Sequence, residues 1–367
     1  MKIIPGEFAP WFQAPVPGGI KEFQFSSLGG MHVLLLFVKS ADSPQARQAL
    51  ADLHTRRAML DDRRLCFFGI TRDPDDVEAG RAAISLPGIR WFTDFDGAIT
   101  RSFGAIDPVD ESRPLWMATD PLMRIMGRSD VANGSALLDR MAEVVARPRV
   151  EIPAPVLILP DVFDRAFCRR LIDAYEQSGG EPSGFMRTID GKTVGVFDEK
   201  IKRRRDHHVE DPALREQIQL RLTRFLIPMV KRALQFEVTR VERYMVACYD
   251  GQSAGFFRAH RDNTTAGTAH RRFACTINLN AEEYEGGNLL FPEFGTRAYR
   301  APTGAALVFS CSLLHEAQPV TKGRRYAFLP FFYDEAAARE REATARSGKV
   351  GSDLAKYRVR KAGEGRR

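Results

Sequence analysis

A chain of 367 residues with 44% hydrophobic and 28% charged side chains has room for two domains and falls among ordinary globular proteins. Its longest apolar run, Val33 to Val38, is far short of a membrane span, and its five cysteines (66, 168, 248, 275 and 311) exclude a Cys-x-x-Cys redox or zinc motif. The net charge of +7 is local: residues 339–367 hold ten Lys/Arg against four Asp/Glu, a net of +6, which leaves about +1 for the rest. The basic tail, 336–367, therefore reads as a solvated, partly disordered end rather than a binding arm, and no nucleic-acid or membrane partner is expected. Scattered thiols suit a reducing compartment, and the first residues lack the apolar core of a signal peptide. A cytoplasmic location is the expectation.

Residues 1–148 alternate strands and helices. The apolar run 33–38 is followed by Ser43-Pro44, a helical stretch from Gln45 to about Leu60, and a second apolar run from Leu65 to Ile70. Strand, helix and strand with short links predict a parallel α/β sheet. Residues 149–155 contain Pro153 and Pro155 just after Pro148, which oppose both helix and central strand and mark a linker.

The second domain is expected over 156–335. Asp161 is a candidate helix cap, with Phe163, Phe167, Leu171 and Tyr175 on one stripe up to Gly179-Gly180. A further helix starts at Asp211-Pro212, with Leu214, Ile218, Leu222, Phe225, Met229 and Leu234 as its apolar face and a kink at Pro228. Between the two, residues 181–208 are rich in glycine and charge and weakly periodic. They read either as a segment closing over a substrate or as a solvated basic face. His207 and His208 are adjacent and would point apart on a strand, so they are not counted as ligands.

From Val241 onward strands dominate. Residues 272–279 alternate, with Thr276 and Asn278 on one face and Cys275, Ile277 and Leu279 on the other. Gly286-Gly287 marks a tight turn, and residues 305–310 and 326–333 read as buried strands. On this frame sit His260-Arg-Asp262, His315 and, ten positions later, Arg325. Residues i and i+2 of a strand point to one side, so the His-x-Asp pair converges, and the distal histidine comes from a strand adjacent in space. Two imidazoles and one carboxylate on one octahedral face leave the opposite positions open, which suits mononuclear Fe(II) in the mouth of a β-barrel or jelly roll. Arg325 offers a planar, permanently charged fork for a carboxylate, and Arg324 alternates to the other strand face. His32, His54 and His270 are read as structural.

Residues 244–332 resemble the catalytic core of the Fe(II)/2-oxoglutarate-dependent dioxygenases of the prolyl 4-hydroxylase-like branch. Residues 245–249 (Met-Val-Ala-Cys-Tyr), 287–293 (Gly-Asn-Leu-Leu-Phe-Pro-Glu), 315–319 (His-Glu-Ala-Gln-Pro) and Arg325-Tyr326 are similar to the oxygen-sensing prolyl hydroxylases. The resemblance implies that His260, Asp262 and His315 bind iron and that Arg325 pairs with the distal carboxylate of 2-oxoglutarate. It implies that Tyr249 lines that pocket with Asn278, which stands where the oxygen-sensing enzymes have a second tyrosine. It also implies O2 as co-reactant, ascorbate as the reductant that keeps iron active, and succinate and CO2 as co-products of C–H hydroxylation. Most of the first 130 residues resemble the peroxiredoxin family of the thioredoxin fold, through residues 5–12, 37–44 and 113–120. Where that family has Thr-x-x-Cys, this sequence has Ser43-Pro-Gln-Ala46, so the peroxidatic nucleophile is missing and Arg113 has no thiolate to activate. Cys66 lies within an apolar run and reads as a buried small hydrophobe.

The expected architecture is thus a thioredoxin-like α/β domain without peroxidase chemistry, followed by a double-stranded β-helix (jelly-roll) oxygenase domain with packing helices. The expected activity is hydroxylation of a C–H bond in a protein or peptide residue such as proline. A small-molecule hydroxylase and a scaffold built on the pseudo-peroxiredoxin domain are the alternatives. Oligomeric state is not readable from the sequence.

Overall fold

The computed structural model describes residues 3–106, 110 and 112–351, and the backbone alone of 359–361. The chain divides into two units, residues 1–153 with 292–295, and residues 154–291 with 296–367. Among the described residues no helix is long and apolar enough to cross a membrane.

In the first unit, β1 (His32–Val38) and β2 (Leu65–Thr71) are the two apolar runs, and they pair in parallel. Parallel neighbours need a crossover, which α1 (Pro44–Thr55) supplies. β3 (Ile89–Thr93) extends the parallel part. After α2 (Ala98–Ser102), β4 (Leu115–Thr119) and β5 (Ile125–Asp130) add an antiparallel edge, giving the order β3-β2-β1-β4-β5. Ala46, Ala49 and Leu53 of α1 cover one face with Leu138 and Met141 of α3 (Gly134–Ala146); Phe25 and Phe103 cover the other, in one core with Phe92 of β3. This is a thioredoxin-like fold. The predicted run of helix to Leu60 stops at Thr55, and a 3-10 turn over Arg57–Met59 follows. Ala46 lies in the first turn of α1, fully buried, with its N–H donating to Ser43 Oγ at 3.2 Å. A cysteine there would sit at a helix N-terminus, where a thiolate is favoured; alanine leaves that environment without a nucleophile. Arg113 pairs with Asp130 at 3.3 Å.

The second unit opens with β6 (Leu157–Leu159) and α4 (Arg165–Ser178). The cap of α4 is Asp164, which accepts from Phe167 N–H at 2.8 Å, and not Asp161, whose φ of 56° places it outside the helix. Gly179 ends the helix at φ 72°. α5 (Pro212–Arg221) begins behind Asp211 as predicted. The predicted kink takes the form of a π-helical turn, Leu222–Leu226, before α6 (Ile227–Leu234). Pro228 lacks an N–H and its ring crowds the carbonyl four residues back, so the preceding turn widens. The wider turn shifts the apolar stripe by one position. Leu226 and Val230 are buried, whereas the predicted Phe225 is 54% exposed.

Two sheets form the jelly roll. The larger contains β10 (Arg205–His208), β11 (Arg240–Glu242), β12 (Met245–Asp250), β14 (Phe273–Asn278), β17 (Ala306–Ser310), β19 (Arg324–Phe328) and β20 (Phe331–Tyr333). The smaller runs β9-β13-β18-β15-β16, from β9 (Lys202–Arg203), β13 (Phe256–His260), β15 (Leu289–Leu290), β16 (Ala298–Tyr299) and β18 (His315–Ala317). The predicted strand 326–333 is two strands, broken at Leu329-Pro330 because proline cannot donate to a central ladder. Outward residues Val246, Cys248, Cys275, Ile277, Tyr326 and Phe328 pack with α4, α5 and α6 in one core. Inward residues of the larger sheet meet the smaller one: the Phe309 and His315 rings lie 4.6 Å apart.

The segment 181–208 is mostly ordered strand. β7 (Phe185–Ile189) and β8 (Lys192–Val196) form a hairpin, and β9 and β10 are barrel strands. The expected solvated basic face is corrected for its inward residues, since Lys202 and Asp206 are buried and the Arg204 side chain is only 5% exposed. The expected disordered tail is corrected as well. Residues Glu335–Arg346 form α7, anchored by buried Ala337 and Ala338 against Tyr333. The Lys349 carbonyl then accepts from Thr193 N–H at 2.8 Å, strapping the tail to the hairpin. The rest of the expected tail, bar the backbone of 359–361, lies outside the described residues.

Candidate metal centre

His260 ends β13, and its cross-strand neighbour is His315, the first residue of β18. A turn then returns Asp262 between them. It is fixed by Asp262 N–H donating to the Cys311 carbonyl at 3.0 Å, Asn263 Nδ2 donating to Ser312 Oγ at 2.8 Å, and the Arg261 guanidinium donating to the Ser312 carbonyl. The three side chains each place a ligand atom within 4.8 Å of the others. His260 Nε2 is 3.6 Å from Asp262 Oδ1, and His315 Nε2 is 3.3 Å from Asp262 Oδ2. The Nδ1 atoms of both rings face backbone carbonyls, of Arg258 at 2.8 Å and of Leu313 at 3.0 Å. A carbonyl accepts only, so each ring donates from Nδ1 and presents the lone pair of Nε2 to the centre.

Electrostatics suit a cation. Burial, with His260 adding, lowers the His315 pKa to about 4, so its ring is neutral near pH 7. Burial alone would raise the Asp262 carboxyl, but His315, His260 and Arg271 outweigh it and hold it well below the usual carboxylate range. Two imidazoles and one carboxylate on a single face are the donor set of non-haem Fe(II). Aromatic rings wall the site: Phe257 stacks on His260 at 3.5 Å, and Phe309 and Phe291 flank His315.

Arg325 lies on the inward face of β19, opposite Tyr249 of β12, with its guanidinium 5.1 Å from the Tyr249 ring centre. It is 2% exposed, and its Nε and Nη1 have no hydrogen-bond partner. A buried guanidinium with idle donors is costly unless an anion meets it, so a carboxylate ligand fits here. Arg324 points outward to Asp250 at 3.0 Å. Asn278 shares the inward face; its Nδ2 donates to the Ala301 carbonyl at 2.6 Å, and its Oδ1 is unpartnered.

The sequence did not single out the group beside Tyr249. Arg204 donates to the Tyr249 hydroxyl at 3.3 Å and is held by Asp206 at 2.7 and 2.8 Å. Lys202 Nζ donates to Ser183 Oγ at 2.7 Å and to the Gly184 carbonyl at 2.6 Å. Burial, with Arg204 adding, pushes the Lys202 ammonium well below its usual value. The signal was present: 202, 204 and 206 alternate along an extended stretch that joins β9 to β10, but Arg203 and Arg205 between them masked the alternation. His207 and His208 lie on β10 and join no metal-ligating cluster among the described residues. His32, His54 and His270 contact Thr119, Leu50 and Glu242 respectively.

The 2OG-Fe(II) oxygenase superfamily profile matches residues 244–333, the segment that contains His260, Asp262, His315 and Arg325. The chain carries a 2-oxoglutarate-dependent dioxygenase domain. The oxygenase is 26% identical over 196 residues to a PKHD-type hydroxylase of Stenotrophomonas maltophilia, covering 50% of this chain and 80% of that one. It is 30% identical over 120 residues to a PKHD-type hydroxylase of Synechococcus, covering 30% of this chain and 52% of that one, so the match spans about half of that relative. Among solved structures, a Trichoplax adhaerens prolyl hydroxylase in complex with a hypoxia inducible factor peptide fragment is 18% identical at a TM-score of 0.38, covering 51% of this chain and 86% of that one. Peroxidoxin BcpB from Mycobacterium tuberculosis is 17% identical at a TM-score of 0.34, covering 40% of this chain and 99% of that one.

Proposed function

We propose that the oxygenase domain hydroxylates a C–H bond of a protein or peptide residue, with proline the leading candidate. His260, Asp262 and His315 would hold Fe(II), and Arg325 would take the distal carboxylate of 2-oxoglutarate, with Tyr249 and Asn278 lining the same pocket. The observation that carries the reading is the buried Arg325 guanidinium, with Nε and Nη1 unpartnered, on the sheet facing a preformed His-Asp-His cluster. When bound, iron with O2 and 2-oxoglutarate supplies the oxidising power, and the cosubstrate leaves as succinate and CO2. The chain's own residues orient and insulate. The carbonyls of Arg258 and Leu313 fix both imidazole tautomers, Asp262 contributes the one anion, and Phe257, Phe291 and Phe309 keep water away from the reacting C–H.

A polymeric substrate is supported by the hairpin β7–β8. Phe185 lies 6.3 Å from Phe257, which stacks on His260, so the hairpin adjoins the centre. The outer edge of β7 has no strand partner among the described residues, and an extended peptide can add along such an edge. The relatives' designation as hydroxylases and the likeness of residues 245–249 and 315–326 to prolyl hydroxylases support the reaction class. The test is mass spectrometry of a lysate incubated with wild type or with Asp262→Ala. The reading expects a polypeptide residue that gains one oxygen atom only with the wild type; oxidation of free metabolites alone would overturn it.

A further inference from the structure

Resting on that reading of Arg325, we infer that the Tyr284 hydroxyl is a second donor to the distal carboxylate and selects 2-oxoglutarate over shorter 2-oxo acids. Tyr284 is 5% exposed, and its hydroxyl is buried with no hydrogen-bond partner. Buried hydroxyls are nearly always paired, so an unpaired one marks a place where a ligand completes the site. Its position agrees. Gly287 has φ +62°, and a Cβ added there would lie 3.2 Å from Arg325 Cδ, 3.3 Å from Tyr284 Cε2 and 2.7 Å from Val320 Cγ2. The Arg325 stem and the Tyr284 ring therefore both pack against Gly287, one on either side of a residue that has no room for a side chain. Neighbouring side chains thus carry two kinds of unused buried donor, N–H and O–H, and one oxyanion bound to both would satisfy them at once.

Asn278, on the same inward face, is a poorer donor. Its Nδ2 is engaged by the Ala301 carbonyl, and its free atom is an acceptor. Tyr284 is also held still. Arg300 stacks on its ring at 4.4 Å and donates to the carbonyls of Ala281 at 3.2 Å and Tyr284 at 2.9 Å, to the Gly286 carbonyl, and to Asn288 Oδ1 at 2.8 Å. A phenol fixed in this way loses little freedom on binding a carboxylate. A 2-oxo acid that lacks the distal carboxylate cannot use it.

The test is calorimetric titration of the Mn(II)-loaded full-length protein with 2-oxoglutarate and with 2-oxobutyrate, without turnover. Tyr284→Phe removes only the hydroxyl. It should weaken 2-oxoglutarate about tenfold or more, as expected for a hydrogen bond to a charged group, while 2-oxobutyrate and Mn(II) affinity stay unchanged. The melting temperature without ligand should hold or rise, because an unpaired buried hydroxyl has been removed. If Arg325→Met weakens 2-oxoglutarate and Tyr284→Phe does not, the Tyr284 assignment is overturned and the Arg325 reading stands. If neither variant changes 2-oxoglutarate affinity, both are overturned. Equal weakening of 2-oxoglutarate and 2-oxobutyrate by Tyr284→Phe also overturns the assignment.

Discussion

Arg325 shows how one residue's surroundings define its task. A guanidinium with two idle, buried nitrogens is tolerable only if an anion arrives, and truncating one partner of such a pair costs about 2–5 kcal/mol. Arg325→Met should therefore raise the 2-oxoglutarate requirement by at least about thirtyfold while iron binding is retained, and Arg325→Lys should restore little because an ammonium cannot make the paired fork contact. Steady-state kinetics with varied cosubstrate reads this directly. The cysteines behave in the opposite way. All five are buried and free; burial pushes the thiols of Cys66 and Cys168 up to about 12 and that of Cys248 to about 11, and raises those of Cys275 and Cys311 as well. Native protein at pH 8 should leave a thiol reagent essentially unconsumed, and denatured protein should titrate five thiols. Fast reaction of native Cys66 would contradict its assignment to packing.

Among the elements, β9 and β10 depart furthest from expectation. Alternation was legible at 272–279, where apolar residues mark one face, and Thr276 and Asn278 point inward as read. It was hidden at 202–206, where both faces are charged and only burial separates Lys202, Arg204 and Asp206 from Arg203 and Arg205. The helix stripe was misplaced beyond Leu222 for a different reason: an inserted π turn changes phase, and hydrophobic spacing alone does not report it. Asp206 balances Arg204 and lies beside Lys202, so Asp206→Asn should cost about 3–5 kcal/mol by leaving buried cations uncompensated, against roughly 0.5 or less for Arg205→Ala on the exposed face. Urea unfolding of the two variants tests the difference. The pH dependence has a definite sign. Burial would raise the Asp206 carboxyl, but Arg204 and Lys202 bring it down to about 2, below its unfolded value near 4. Its contribution is present above about pH 4 and is lost as pH falls through 2. The variant should lack that part of the acid transition.

At the scale of the molecule, a thioredoxin-like unit with alanine at position 46 precedes an oxygenase unit that holds the His260–Asp262–His315 cluster. Ala46, buried in the first turn of α1, supplies no peroxidatic thiol, so full-length His315→Ala, which removes a proposed iron ligand, should not consume peroxide with a thiol reductant. Cys66-dependent consumption would restore the peroxidase reading. The oxygenase fold was legible, as was the convergence of His260, Asp262 and His315, because strand alternation and the His-x-Asp spacing bring such side chains to one side. Tyr284 was not, because it lies in a loop and its relation to Arg325 passes through Gly287, which no periodicity reveals. The central assignment is the iron centre. The most direct measurement is succinate formation from 2-oxoglutarate and O2 by protein loaded with one Fe(II), compared with Asp262→Ala. The wild type should bind iron and release succinate slowly even without substrate, and the variant should do neither; equal iron content and equal succinate from the two would contradict it.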